Sequence, residues 1–190
     1  MTPKCLKSEP LYCREHLGEK ADHQTLISHF EATQPKGEGL KTYLQHSASY
    51  NEANGNHRTY LIRDMRTNEL VGYYTIRAGN VLTKDGEWTT AVSGIELTNF
   101  AINGAYRRNH PELSAVGKRI FFDFIMPQAR EIHEILGTGI LFIYALDEKP
   151  LEKYYESLGF AKLPDEEEEY IHANCKPSYD APCNFMYMLL

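Results

Sequence analysis

The sequence contains no apolar run approaching the roughly 18 to 20 residues needed to cross a bilayer. Its start, MTPKCLKSEPLYCREH, is too polar for a secretory signal. A cytoplasmic location without membrane attachment is therefore expected. Basic residues are also in short supply: 20 Lys and Arg stand against 26 Asp and Glu, a formal net charge of −6. Binding to nucleic acid depends on cations that displace phosphate counterions, so no general nucleic-acid binding is expected, although a local basic patch fits the same balance. Cysteines are few and spaced too widely for a closed metal site. Cys5 and Cys13 lie near one end, and Cys175 and Cys183 near the other. Zinc ligands usually come in pairs about two to four residues apart, so free thiols and no metal are the expectation.

What is present suits one globular domain. Hydrophobic residues make up 42% of the 190 positions, too many for a disordered chain and enough for a core of its own. Residues 1–22 show no clear period and are rich in charge and proline, which reads as a tail or an edge element, leaving 23–190 as a single domain. Nothing in the pattern decides the oligomeric state, and a homodimer is compatible with it.

Helical spacing of Leu26, Ile27 and Phe30 predicts a helix over Gln24–Thr33, and a second is predicted over Leu40–Asn51. Thr59–Met65 and Leu70–Val81 are rich in Tyr, Ile and Val and are joined by four polar residues, as in an antiparallel hairpin. A turn at Lys84-Asp85-Gly86 leads to a strand over Ala91–Asn103. Strict alternation there would put Ile95, Leu97, Asn99 and Ala101 on one face, with Glu96, Thr98, Phe100 and Ile102 on the other. Val116–Leu136 carries a helical apolar stripe that Pro127 should kink or divide. Ile140–Leu146 has the unbroken apolar character of a strand buried on both faces. A strand, a long helix and a buried strand in succession predict a right-handed crossover between parallel strands. A short helix over Pro150–Leu158, an irregular stretch from Asp165 to Cys183 and a last strand over Asn184–Leu190 complete the pattern, an α/β (α+β) fold.

Residues at the joints of this pattern carry a resemblance. The strand Gly94-Ile-Glu-Leu-Thr-Asn-Phe-Ala-Ile102 leads through Tyr106-Arg107-Arg108 toward a helix start containing glycine. The buried strand Ile140–Leu146 follows, and then Lys153-Tyr-Tyr-Glu-Ser-Leu-Gly-Phe160. Together these resemble the GNAT N-acetyltransferases, whose Tyr-x-x-Leu-Gly-Phe signature the last stretch matches. Arg58-Thr-Tyr-Leu-Ile62 with Val71-Gly-Tyr-Tyr-Thr75 is similar, more weakly, to GNAT toxins that acetylate aminoacyl-tRNA. The resemblance implies a mixed sheet of six to seven strands with a splayed parallel pair and flanking helices. It also implies acetyl-CoA as co-substrate, without a metal, and a small-molecule or peptidic amine as acceptor. At the phosphate loop the chain departs from the family: Glu112-Leu-Ser-Ala115-Val-Gly117 replaces the usual Arg- or Gln-led glycine motif. A toxin acting on aminoacyl-tRNA and a GNAT-like binding module without catalysis remain alternatives.

Backbone N–H groups at a helix N-terminus can hold an anion where small residues allow close approach, and Ala115, Val116 and Gly117 stand at such a start. Arg107, Arg108 and Lys118 would add charge. The resemblance assigns Phe100, Ala101 and Ile102 to the pantetheine arm, with an N–H near Ile102 facing the oxyanion. It places Tyr155 near the sulfur as the acid that protonates the leaving thiolate, with core packing as the alternative. Glu96 stands where related enzymes draw a proton from the amine through water, although a solvent-facing edge position would also account for it. Tyr154 reads as packing. The acidic run Asp165–Glu169 is a solvated loop or, at the acceptor entrance, a feature favouring a cationic amine.

Overall fold

A computed structural model describes residues 11–85, 88–175 and 183–190. Cys5, Gly86 of the expected turn, residues 1–10 of the expected tail and 176–182 of the expected irregular stretch lie outside the described residues.

Among the described residues, seven strands form one sheet in the order β1-β2-β3-β4-β5-β7-β6. They are β1 (Tyr12–His16), β2 (Arg58–Asp64), β3 (Leu70–Asp85), β4 (Trp88–Ile102), β5 (Ile140–Leu146), β6 (Ala161–Lys162) and β7 (Cys183–Leu189). Only β4 and β5 run parallel, and they pair only from Gly94–Glu96 against Ile140–Phe142. Beyond Glu96 and Phe142 the two strands part. Among the described residues the sheet is flanked by the helices α1 (His23–Ser28), α2 (38–53), α3 (Gly104–Asn109), α4 (116–136), α5 (Lys149–Leu158) and α6 (Asp165–Cys175). α4 and α5 pack on one face over Ile62, Ile76, Leu97, Leu141 and Met186. On the other face α1 and α2 cover Leu61 and Tyr73, and α6 sets Ile171 against Val81, Phe142 and Phe185.

Two elements, the β4 alternation and the acidic run, differ from the sequence expectation, and two others resolve alternatives that it left open. Of the tail and edge-element readings of 1–22, Tyr12–His16 takes the second, an edge strand whose charged residues are satisfied rather than solvated. Glu15 is buried on β1, where its carboxylate meets Arg63 at 2.9 Å and His23 at 2.9 Å. Strict alternation along β4 fails at a bulge. Thr75 pairs with Asn99 but Ile76 with Leu97, so Thr98 is the extra residue, and Phe100 and Ile102 return to the face that holds Ile95 and Leu97. At Pro127 the α ladder is interrupted as the sequence suggests: a π turn over Phe121–Ile125 separates two α segments, and Pro127 stands in the first turn of the second. The acidic run is the first turn of α6, where four carboxylates face the positive end of the helix dipole.

The β1 network gives a stability prediction. Burial pushes the Glu15 carboxyl up, but hydrogen bonds from Lys20, His23 and Arg63 outweigh it and hold the group at about 2. A folded-state value below the ordinary 4.5 means its stabilisation is complete above that pH and is lost as pH falls toward 2. Glu15→Gln should cost about 3 kcal/mol at neutral pH, since it leaves the buried guanidinium of Arg63 short of charge. Melting curves taken between neutral and about pH 3 should show the variant losing less stability on acidification than the parent. Parallel loss in both proteins would assign the acid sensitivity elsewhere.

Candidate active site

The divergence of β4 from β5 opens a cavity of about 660 Å³. Its walls are the β4 end Phe100–Ile102, residues 113–118 at the start of α4, Leu151, Tyr154 and Tyr155 of α5, and the segment between α1 and α2. Asn103 N–H donates to Val71 O at 2.9 Å, so the period of two along β4 turns the N–H groups of Phe100 and Ile102 away from β3 and into the gap. Backbone donors without a strand partner therefore line the cleft. β3 keeps this edge tightly seated, because at Gly72 a Cβ would lie 2.4 Å from the Ala101 carbonyl oxygen.

The floor of the cleft is the N-terminus of α4. Ala115 caps it in the left-handed region at φ 55, which aims the first N–H groups of the helix into the cavity. At Gly117 a Cβ would meet the Tyr154 hydroxyl at 2.5 Å, so glycine leaves room for both the phenol and an approaching group. Arg107 and Lys118 line the same space. Arg108 turns outward to Glu31 and is absent from the lining. Lys36 bridges to Glu148 at 2.6 Å, tying the α1–α2 segment to the start of α5, and both residues line the cavity.

Tyr155 is buried, with its ring edge-on to Phe160 and to Tyr154, at 5.5 Å in each case. Burial, with a smaller contribution from Tyr154, raises its phenol well above the ordinary value, so it stays protonated at neutral pH. Tyr154 is pushed up to about 12 by burial alone. The spacing that suggested packing for Tyr154 accounts for its ring but not for its hydroxyl, whose place against Gly117 depends on how α5 docks on the start of α4.

Glu96 sits apart from this cleft. It is buried at the last rung of the β4–β5 pairing, on the opposite face of the sheet, and two guanidinium nitrogens of Arg77 each lie 2.7 Å from its Oε2. Of the sequence-derived residues, then, Phe100, Ala101, Ile102, Arg107, Ala115, Val116, Gly117, Lys118 and Tyr155 share one cavity, and Arg108 and Glu96 do not. Among the described residues no group of three His, Cys, Asp or Glu side chains is placed to hold a metal ion, and no helix is long and apolar enough to cross a membrane.

No protein-family model and no curated protein matches the sequence. Solved structures do match. An AtaT mutant toxin bound to the C-terminus of the antitoxin AtaR and acetyl-CoA superposes with a TM-score of 0.65 at 19% identity, covering 94% of this chain and 93% of that one. AtaT complexed with acetyl-methionyl-tRNAfMet gives 0.63 at 19% identity over 94% and 95% of the two chains. A tyrosine-to-phenylalanine mutant of KacT gives 0.65 at 17% identity over 94% of each. On these superpositions, on its strand order and on the splayed β4–β5 pair, the chain carries the fold of the GNAT acetyltransferases.

Proposed function

We propose that the protein is an acetyl-CoA-dependent N-acetyltransferase that acts on a primary amine. The observation that carries this reading is the single cavity joining the N-terminus of α4 to the open backbone edge of β4 and the buried phenol of Tyr155. Each part meets one requirement of acyl transfer from a thioester. The N–H groups of residues 116–118, with Arg107 and Lys118 nearby, suit a pyrophosphate. The unpaired edge at Phe100–Ile102 suits the amide-rich pantetheine arm, and the N–H of Ile102, turned away from β3, suits a developing oxyanion. Tyr155, kept protonated by burial, is a donor for the departing thiolate.

A second reading narrows the acceptor to the amino group of a charged tRNA. It is favoured by the likeness to AtaT, whose structure with acetyl-methionyl-tRNAfMet superposes over nearly the whole chain. A net charge of −6 leaves any RNA contact to a local patch, and Arg107, Lys118 and the adjoining Arg119 are its members near the cavity.

Calorimetry provides the first test: acetyl-CoA should bind saturably at about 1 mM or below, within the usual range for substrates. No response would sink the enzyme reading and leave a binding module. If it binds, mass spectrometry after incubation with methionyl-tRNA or with free amines separates the two acceptor classes.

A further inference from the structure

Tyr154 and Tyr155 are consecutive on α5, so their side chains leave the helix about 100° apart. Tyr155 turns into the core against Phe160, whereas Tyr154 is half-buried and reaches across to the start of α4. A Cβ on Gly117 would lie 2.5 Å from the Tyr154 hydroxyl and 3.7 Å from Ile102 Cγ1. The hydroxyl therefore stands against the first turn of α4, where that turn meets the end of β4, and Tyr154, Gly117 and Ile102 all line the cleft.

The polar groups on this side of the cleft are donors. The first N–H groups of α4 have no partner within the helix. Lys118, the residue after Gly117, reaches α5 as well, its ammonium 3.5 Å from the Ser157 carbonyl oxygen, and Arg107 lines the same space. Of the lining residues only Glu148 is acidic, and its carboxylate, at the opposite end of α5, meets Lys36 at 2.6 Å. Burial holds the Tyr154 phenol at about 12, so it keeps its proton at neutral pH, and among the described residues its hydroxyl has no hydrogen-bond partner. One anionic oxygen can accept from an open hydroxyl, helix N–H groups and a cation together, and such charge-assisted bonds are the strong ones.

Resting on the acetyltransferase reading given above, we propose that Tyr154 is a phosphate-binding residue, its hydroxyl donating to a pyrophosphate oxygen of acetyl-CoA at the start of α4. The two adjacent phenols then serve opposite ends of one co-substrate, Tyr154 the phosphates and Tyr155 the sulfur. Glycine at 117 is what lets a side chain of α5 reach a site otherwise made by α4, because any Cβ there would take the place of the hydroxyl. Glu112, which leads the segment before α4, is absent from the lining and lies 4.0 Å from His110, so α5 supplies a donor that the start of this segment does not.

The test uses the full chain and Tyr154→Phe, which keeps the ring and its contact with Tyr155 and removes only the oxygen. Calorimetry should show inorganic pyrophosphate competing with acetyl-CoA for wild type. Tyr154→Phe should weaken both ligands by about 10-fold, as expected for a lost hydrogen bond to a charged group, with its thermal melt unchanged. With methoxyamine as acceptor, a primary amine uncharged at neutral pH, the variant should show a raised KM for acetyl-CoA and an unchanged kcat. Four results would overturn the inference: affinities within about twofold of wild type, pyrophosphate that does not compete, weaker acetyl-CoA binding with pyrophosphate unaffected, or a lowered kcat at unchanged affinity, which would make the hydroxyl a proton donor to sulfur. Wild type that fails to bind acetyl-CoA would instead bring down the acetyltransferase reading, and this inference with it.

Discussion

Gly117→Asp is expected to weaken acetyl-CoA binding by about 100-fold or more while leaving thermal stability unchanged or slightly raised. The two effects have opposite signs for one reason. Residue 117 lies in the first turn of α4, where unpaired N–H groups and the helix dipole favour negative charge. A carboxylate there stabilises the helix by about 0.3–1 kcal/mol, and by the same token occupies the place offered to a phosphate. Repulsion between like charges near a protein surface is worth several kcal/mol at about 4 Å, which sets the expected loss in affinity. Sterics add to it, since any Cβ at this position must displace the Tyr154 hydroxyl, 2.5 Å away. Gly117→Ala isolates that steric part and should cost about 10-fold or less, because Tyr154 presents only the far end of a flexible side chain. Calorimetry and thermal melts on the two variants check both halves of the argument. Affinity retained in Gly117→Asp would place the phosphates elsewhere on the chain.

The elements that sequence made legible are those set by local chemistry. Pro150 in the first turn and Gly159 at φ 104 bound α5 as the sequence indicated. The run from Ile140 to Ala145 is largely buried because Leu141, Ile143 and Ala145 pack under α4 and α5 while Ile140 and Phe142 face Ile171 of α6. The elements that escaped depend on partners remote in sequence. β1 looks like a polar tail until Arg63, 48 residues away, satisfies Glu15. The bulge at Thr98 has no sequence signature, since Thr suits a strand in either register, and its consequence was to reverse the faces assigned to Phe100 and Ile102. Pro127 marks the interruption of α4 from sequence alone, but that it takes the form of one wider turn follows from the packing of Phe121 and Ile125.

The site divides in the same way. Tyr155 and residues 115–118 stand out because a signature and a small-residue helix start are contiguous in sequence. Glu96 also stands out in an apolar strand, but its partner Arg77 and its position on the far face follow from pairing alone. The free backbone edge at Phe100–Ile102 carries no sequence pattern either: it exists because the parallel pairing with β5 runs only from Gly94 to Glu96.

Tyr155→Phe should slow the chemical step by about 10- to 1000-fold, with folding and acetyl-CoA affinity little changed. The substitution removes one oxygen from a ring whose packing against Phe160 and Tyr154 is otherwise kept. Phenylalanine suits the same buried surroundings, which argues against a stability loss. Burial raises the Tyr155 pKa, so the phenol is fully protonated wherever the protein works and can give its proton when thiolate charge develops. The range extends below that of most lost general acids because thiolate is already a fair leaving group and water can enter in place of the hydroxyl. Single-turnover acetylation of methoxyamine isolates the step from product release. A Tyr155→Phe rate within about twofold of wild type, with acetyl-CoA bound equally well, would return Tyr155 to a packing role and pass the task of protonation to Tyr154, whose hydroxyl lines the same cavity.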